Sequence, residues 1–158
     1  MRERSSESPL SVELTVDWAL TTEDDQISPH HAEDLIRHAL VQECQTGSWH
    51  FAIRFVNDLE MAQLHETWLG DLSPTDILTF AYDPEDGAQG GDIVISLDTA
   101  APNATDAGWR LSDELHFLML HGLLHVLGWD DHSATYRAAM LERQQELLAS
   151  WKPREDIE

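Results

Sequence analysis

Between Ser11 and Trp18 the chain alternates strictly, with Val12, Leu14, Val16 and Trp18 set against Ser11, Glu13, Thr15 and Asp17. Successive side chains of a strand point to opposite faces, so this pattern predicts a half-buried strand. The alternation returns at Trp49, Phe51, Ile53 and Phe55. Ile77 to Tyr82 and Asp92 to Leu97 read as two further strands. Elsewhere the period is helical. Ser28-Pro29 supplies a cap and a first-turn proline, and Ala32, Leu35, Ile36, Ala39 and Leu40 form the inner stripe of a helix running to about Gln45. Asn57 and Asp58 open a second helix, with Met61, Leu64 and Trp68 inward and Gly70 ending it. Ser112-Asp113-Glu114 caps a third, apolar almost all round and therefore a core helix. Ser133 caps a fourth, which runs to about Ser150 with Tyr136, Met140, Leu141, Leu147 and Leu148 inward. The order β-α-β-α-β-β-α-α predicts an α+β fold, a small mixed sheet of about four strands packed with about four helices.

Residues 1–10 and 152–158 are polar and patternless, so a disordered N-terminal tail and a polar C-terminal tail are expected to flank one domain over 11–151. The glycines at 87, 90 and 91 precede a strand, not a helix, and read as a β-turn and not as a phosphate loop. Cys44 is the single cysteine, which excludes an internal disulfide and suits the cytosol; its place in a helix makes it a packing residue. The most apolar stretch, Leu115 to Trp129, is too short for a membrane span and contains His116, His121 and His125. The N-terminus lacks the apolar core of a signal peptide, so a cytoplasmic location without membrane contact is expected.

The core helix carries the candidate chemistry, in His121-Gly-Leu-Leu-His125-Val-Leu-Gly128-Trp-Asp-Asp-His132. Four residues is slightly more than one helical turn, so His121 and His125 point the same way. Two imidazoles on one face make half of a tetrahedral zinc site. Gly128 is suited to end the helix, and the chain can then return His132, or a neighbouring aspartate, to the open side of the metal. Three protein ligands leave one position free, as in catalytic zinc sites. The scaffold is zincin-like, but zinc peptidases place a glutamate after the first histidine as general base, and here that position is Gly122. No other side chain stands out as general base. Glu114, seven residues before His121, either orients a ligand imidazole or serves the helix start. His30, His31, His38, His50, His65 and His116 have no comparable spacing.

The histidine segment resembles the signature of the YbeY endoribonucleases, a bacterial family of rRNA-maturation enzymes. Pro74-Thr75-Asp76-Ile77-Leu78-Thr79-Phe80 and Gly91-Asp92-Ile93-Val94-Ile95-Ser96 resemble two further family segments in the same order. The resemblance runs from about Phe51 to about Leu147. It implies a metal-dependent, single-strand-specific endoribonuclease acting in 16S rRNA 3′-end maturation and ribosome quality control. It also implies one zinc per chain on His121, His125 and a third ligand, Thr75 and Asp76 at the cleft edge, and rRNA and ribosomal subunits or proteins as partners. There are two departures. The family's third histidine falls at Asp131, and the histidine here is one later; His132 is expected to complete the set, with Asp131 as the alternative. Leu69 stands where the family often has an arginine. A ribosome-assembly adaptor with a structural metal, or a hydrolase of another substrate, are the competing readings.

Charge bears on that choice. Thirty acidic residues against nine basic ones give a net charge of −21, whereas phosphate neutralisation dominates nucleic-acid affinity. Either Arg37, Arg54, Arg110, Arg137 and Arg143 gather locally, or basic ribosomal proteins do the docking.

Overall fold

A computed structural model describes residues 9–18, 27–69, 76–83, 85 and 87–151. Four strands, β1 (Ser11–Trp18), β2 (Ser48–Val56), β3 (Ile77–Ala81) and β4 (Gly90–Ser96), form one sheet in the order β1-β2-β4-β3. β1, β2 and β4 run parallel, and β3 is antiparallel at the far edge. Among the described residues there are five helices: α1 (Pro29–Gln42), α2 (Asp58–Leu69), α3 (Leu97–Ala107), α4 (Leu111–Val126) and α5 (Ala134–Ser150).

Strand alternation divides the interior in two. Phe51, Ile53, Phe55, Ile93 and Ile95 join α1, α4 and α5 in the main core. Val56, Leu78 and Val94 point the other way and pack under Met61 of α2. α4 is buried along nearly its whole length, as an all-round apolar helix must be. It lies close against the sheet at Gly122, where a Cβ would lie 2.9–3.0 Å from three atoms of Ile93. The position that in zinc peptidases carries a catalytic glutamate is thus taken up by packing. Gly90 is also required, since its φ is +131° and a Cβ would meet the His50 carbonyl oxygen.

Several expectations change. The fifth helix, α3, was not expected from sequence: it has Pro102 inside, and its inner stripe is short and mostly alanine, Leu97, Ala100 and Ala104. α1 ends at Gln42, and Cys44 is an exposed turn residue with φ +61°, not a helical packing residue. α4 begins one residue before Ser112; the Arg110 N–H donates to the Asp113 carboxylate at 3.3 Å. Trp68, Tyr136 and Leu141, expected inward, are 64%, 56% and 46% exposed. The caps at Ser28 and Ser133 form, accepting from the N–H of His31 at 3.3 Å and Tyr136 at 3.0 Å. Most of both tails, Gly70, Pro74 and Thr75 lie outside the described residues.

Candidate metal centre and its cleft

α4 ends as the sequence suggests. Gly128 has φ +103°, and the N–H groups of Gly128 and Trp129 donate to the carbonyls of His125 and Leu124 at 3.0 and 2.9 Å. This left-handed cap reverses the chain and brings the following acidic turn back over the last turn of the helix.

His121 and His125 are partly exposed and lie edge to face, their Nε2 atoms 3.1 Å apart. The outer nitrogens fix the tautomers. His125 Nδ1 lies 3.1 Å from the Trp129 carbonyl oxygen, which can only accept, so Nδ1 carries the hydrogen. His121 Nδ1 lies 3.0 Å from Gln144 Oε1, and the Gln144 amide nitrogen donates to the Phe117 carbonyl at 3.3 Å. That second bond orients the amide so that its oxygen faces the imidazole, which again places the hydrogen on Nδ1. In the neutral rings both Nε2 lone pairs therefore point into one small space. Asp131 Oδ2 joins them, 3.4 Å from His125 Nε2 and 3.7 Å from His121 Nε2. Two bare lone pairs and a carboxylate repel one another unless a cation lies among them. Ligand atoms of a tetrahedral zinc with bonds of about 2.0–2.2 Å stand about 3.3–3.6 Å apart, so this donor set fits the ion.

Of the two candidates for third ligand, the structure brings Asp131, and not His132, to the paired imidazoles. His132 is turned to solvent, its side chain 90% exposed and its Nδ1 2.6 Å from Asp130. Asp130 also accepts the His132 backbone N–H at 2.8 Å, and this local turn decides which way each side chain faces. Behind the turn, Glu43, which caps the C-terminus of α1, accepts from the Trp129 indole N–H at 3.0 Å and from Arg143 Nε at 2.6 Å, tying the Gly128–Asp131 segment to the end of α1 and to α5. Gln144 and Glu43 carry no sequence signal, because they serve the centre only through the packing of α1 and α5.

The centre opens into two adjoining cavities that share Asp76, Ile77, His121 and Asp131. One, of about 480 Å³, extends between α4 and α5 past Trp109, Glu114 and Arg137; the other, of about 760 Å³, runs along β3 past His125 and His132. Asp76 thus stands at the cleft, whereas Thr75 lies outside the described residues. Glu114 is buried in the cleft wall; burial first, and the Asp76 charge second, hold its carboxyl above the ordinary range. Among the described residues the arginines stand on α1 (Arg37), β2 (Arg54), the start of α4 (Arg110) and α5 (Arg137 and Arg143), and four of them lie beside carboxylates.

The family model described as Endoribonuclease YbeY matches residues 17–152. A protein of Parasynechococcus marenigrum named Endoribonuclease YbeY is 39% identical over 91% of this chain and 80% of its own length. One of Synechococcus sp. strain CC9605 with the same name is 44% identical over 61% of this chain. The match covers 62% of that relative's length, less than two thirds. A Thermotoga maritima protein solved in solution superposes with a TM-score of 0.55 at 22% identity, covering 85% of this chain and 86% of that one, a likeness of fold.

Proposed function

The chain belongs to the endoribonuclease YbeY family, and on that premise we propose that it is a metal-dependent endoribonuclease that cuts single-stranded RNA. The observation that carries this reading is the converging pair of imidazole lone pairs, 3.1 Å apart beside the Asp131 carboxylate and open to a cleft. We assign zinc to His121, His125 and Asp131. When bound, the ion supplies a Lewis acid to a phosphodiester and lowers the pKa of water. Gln144 and the Trp129 carbonyl hold the Nδ1 hydrogens and keep both Nε2 atoms free for the ion. Asp131 adds a negative charge that neutral imidazoles lack. Glu114, buried in the cleft wall near Asp76, offers a carboxyl that keeps its proton more readily than an exposed one. The family resemblance extends the reading to 16S rRNA 3′-end maturation and ribosome quality control in the cytoplasm. A net charge of −21 favours docking through basic ribosomal proteins over general RNA affinity.

The test is elemental analysis of untagged protein, together with cleavage of single-stranded and duplex RNA, each set against His121→Ala. The expected result is about one zinc per chain and cleavage confined to single strands, both lost in the variant. Full metal loading with no cleavage of either RNA would overturn the ribonuclease reading in favour of a structural metal.

A further inference from the structure

We propose that the cavity between α4 and α5 is a nucleotide subsite, in which Arg137 receives a backbone phosphate and Trp109 the adjoining base. This rests on the ribonuclease reading for its ligand class, and on separate residues for its site.

In so acidic a chain the long-range field repels phosphate, so any phosphate contact has to be local. Among the five described arginines, four stand within ion-pair reach of carboxylates: Arg37 by Glu33 at 3.5 Å, Arg54 by Glu60 at 2.6 Å, Arg110 by Asp113 at 3.9 Å and Arg143 by Glu43 at 2.6 Å. Arg137 has no carboxylate within that reach among the described residues. Its Nη1 donates to the Asp131 backbone carbonyl at 3.2 Å. A guanidinium has five donors, so one bond fixes the group and leaves most of its fork and its charge unused. That bond also fixes where the charge stands, because the carbonyl belongs to the residue whose carboxylate faces His121 and His125. A phosphate on Arg137 is therefore next to the metal centre.

The second component is apolar. Trp109 follows the left-handed Gly108 at the end of α3 and packs against Phe117 of α4, centroids 5.4 Å apart and planes at 84°. It is 38% exposed, and it lines the same cavity as Arg137 and the half-exposed Leu141. Two large apolar side chains left open in the same cavity as a guanidinium with no carboxylate in ion-pair reach among the described residues suit a nucleotide, which presents both a flat π-face and an anion. Stacking on an aromatic side chain suits every base, and the volume of about 480 Å³ is within the range of small-ligand sites.

The probe is a labelled single-stranded pentanucleotide RNA. Its binding to metal-loaded protein is followed by fluorescence anisotropy across a salt series, and its cleavage by initial rates. Arg137→Gln keeps a donor for the Asp131 carbonyl but removes the charge. It should raise Kd about ten- to a hundredfold and lower the salt slope by about 0.7, with zinc content unchanged. Trp109→Ala should raise Kd about five- to a hundredfold, and Trp109→Phe should restore most of the loss. Losses in KM with kcat nearly kept would support the subsite. Cleavage by the parent protein with Kd and salt slope unmoved in Arg137→Gln would overturn the subsite and leave the ribonuclease reading standing. Binding that depends on Arg137 and Trp109 without any cleavage would keep the subsite and overturn the ribonuclease. No binding by the parent protein would overturn the subsite outright.

Discussion

α4 carries three histidines in two settings. His116 is 7% exposed, lies edge-on to Trp151 with centroids 5.1 Å apart, and has no hydrogen-bond partner for Nε2 among the described residues. His121 and His125 have both outer nitrogens engaged and both inner nitrogens aimed at one point beside a cleft. Five residues turn the helix by about 500°, so His116 and His121 differ by roughly 140° in direction. One ring points into the core between α1 and the end of α5, the other toward Gln144 and the acidic turn. Residue type and host helix are the same. The difference is supplied by other elements: an amide from α5, a carbonyl and a carboxylate from the turn, and access for a ligand.

The largest effect expected is on metal affinity. His125→Ala should lower it by more than about a hundredfold, beyond what changes outside the ligand shell produce, with the fold retained. His116→Leu should leave zinc content unchanged. Titration with a chromophoric chelator and elemental analysis would measure both. Equal losses in the two variants would mean that the helix as a whole, and not the partnered pair, governs binding.

Acid should act on the other region. Burial pushes His116 down to about 4 from 6.5, against Asp113 and with His31 and Arg110. Between those values the unfolded chain binds a proton that the native state refuses, so stability is full above about pH 6.5 and falls toward pH 4. The shift corresponds to at most about 3 kcal/mol. Glu114 works in the opposite sense: its carboxyl is raised, so its contribution is lost as pH rises through its folded value. Urea unfolding of metal-free protein at pH 7 and pH 4.5, in the parent and in His116→Leu, isolates the histidine. The parent should lose more stability, and parallel losses would show that His116 is hydrated when folded.

The sequence makes one of these regions visible and not the other. Alternation at Val12–Val16 and Trp49–Phe55 survives intact because sheet faces impose a period of two whatever packs on them. The 121/125 spacing survives because it depends only on the helix. Gln144 and Glu43 are invisible, since their roles exist only once α1 and α5 are docked. Helical periodicity assigns Trp68, Tyr136 and Leu141 inward because it measures direction around a helix and not whether anything covers that direction. Leu141 faces the cleft, and Trp68 covers Phe80 at 5.8 Å while itself staying exposed.

The smallest effect should come from His132, the residue expected from sequence as third ligand. His132→Ala should change zinc affinity by less than about twofold, while Asp131→Ala should weaken it by at least about tenfold. His132 is held by Asp130 through its ring, and its own N–H closes the turn on the same carboxylate. Reaching the imidazole pair would require both bonds to break and the turn to shift by one residue. Gly128 can supply conformational freedom, but the Trp129 indole on Glu43 and the Trp129 carbonyl on His125 hold the segment on either side of its α-carbon. Asp131 needs no such movement, and its Oδ2 already lies 3.4 Å from His125 Nε2. Asp131→Asn adds a finer test, because it keeps the size and one oxygen while removing the charge. Affinity between those of the parent and Asp131→Ala would assign part of the carboxylate's contribution to its charge. Larger losses in His132→Ala than in Asp131→Ala would show that the turn rearranges around the ion, and that the two regions of α4 differ less by preformed geometry than by what the bound metal imposes.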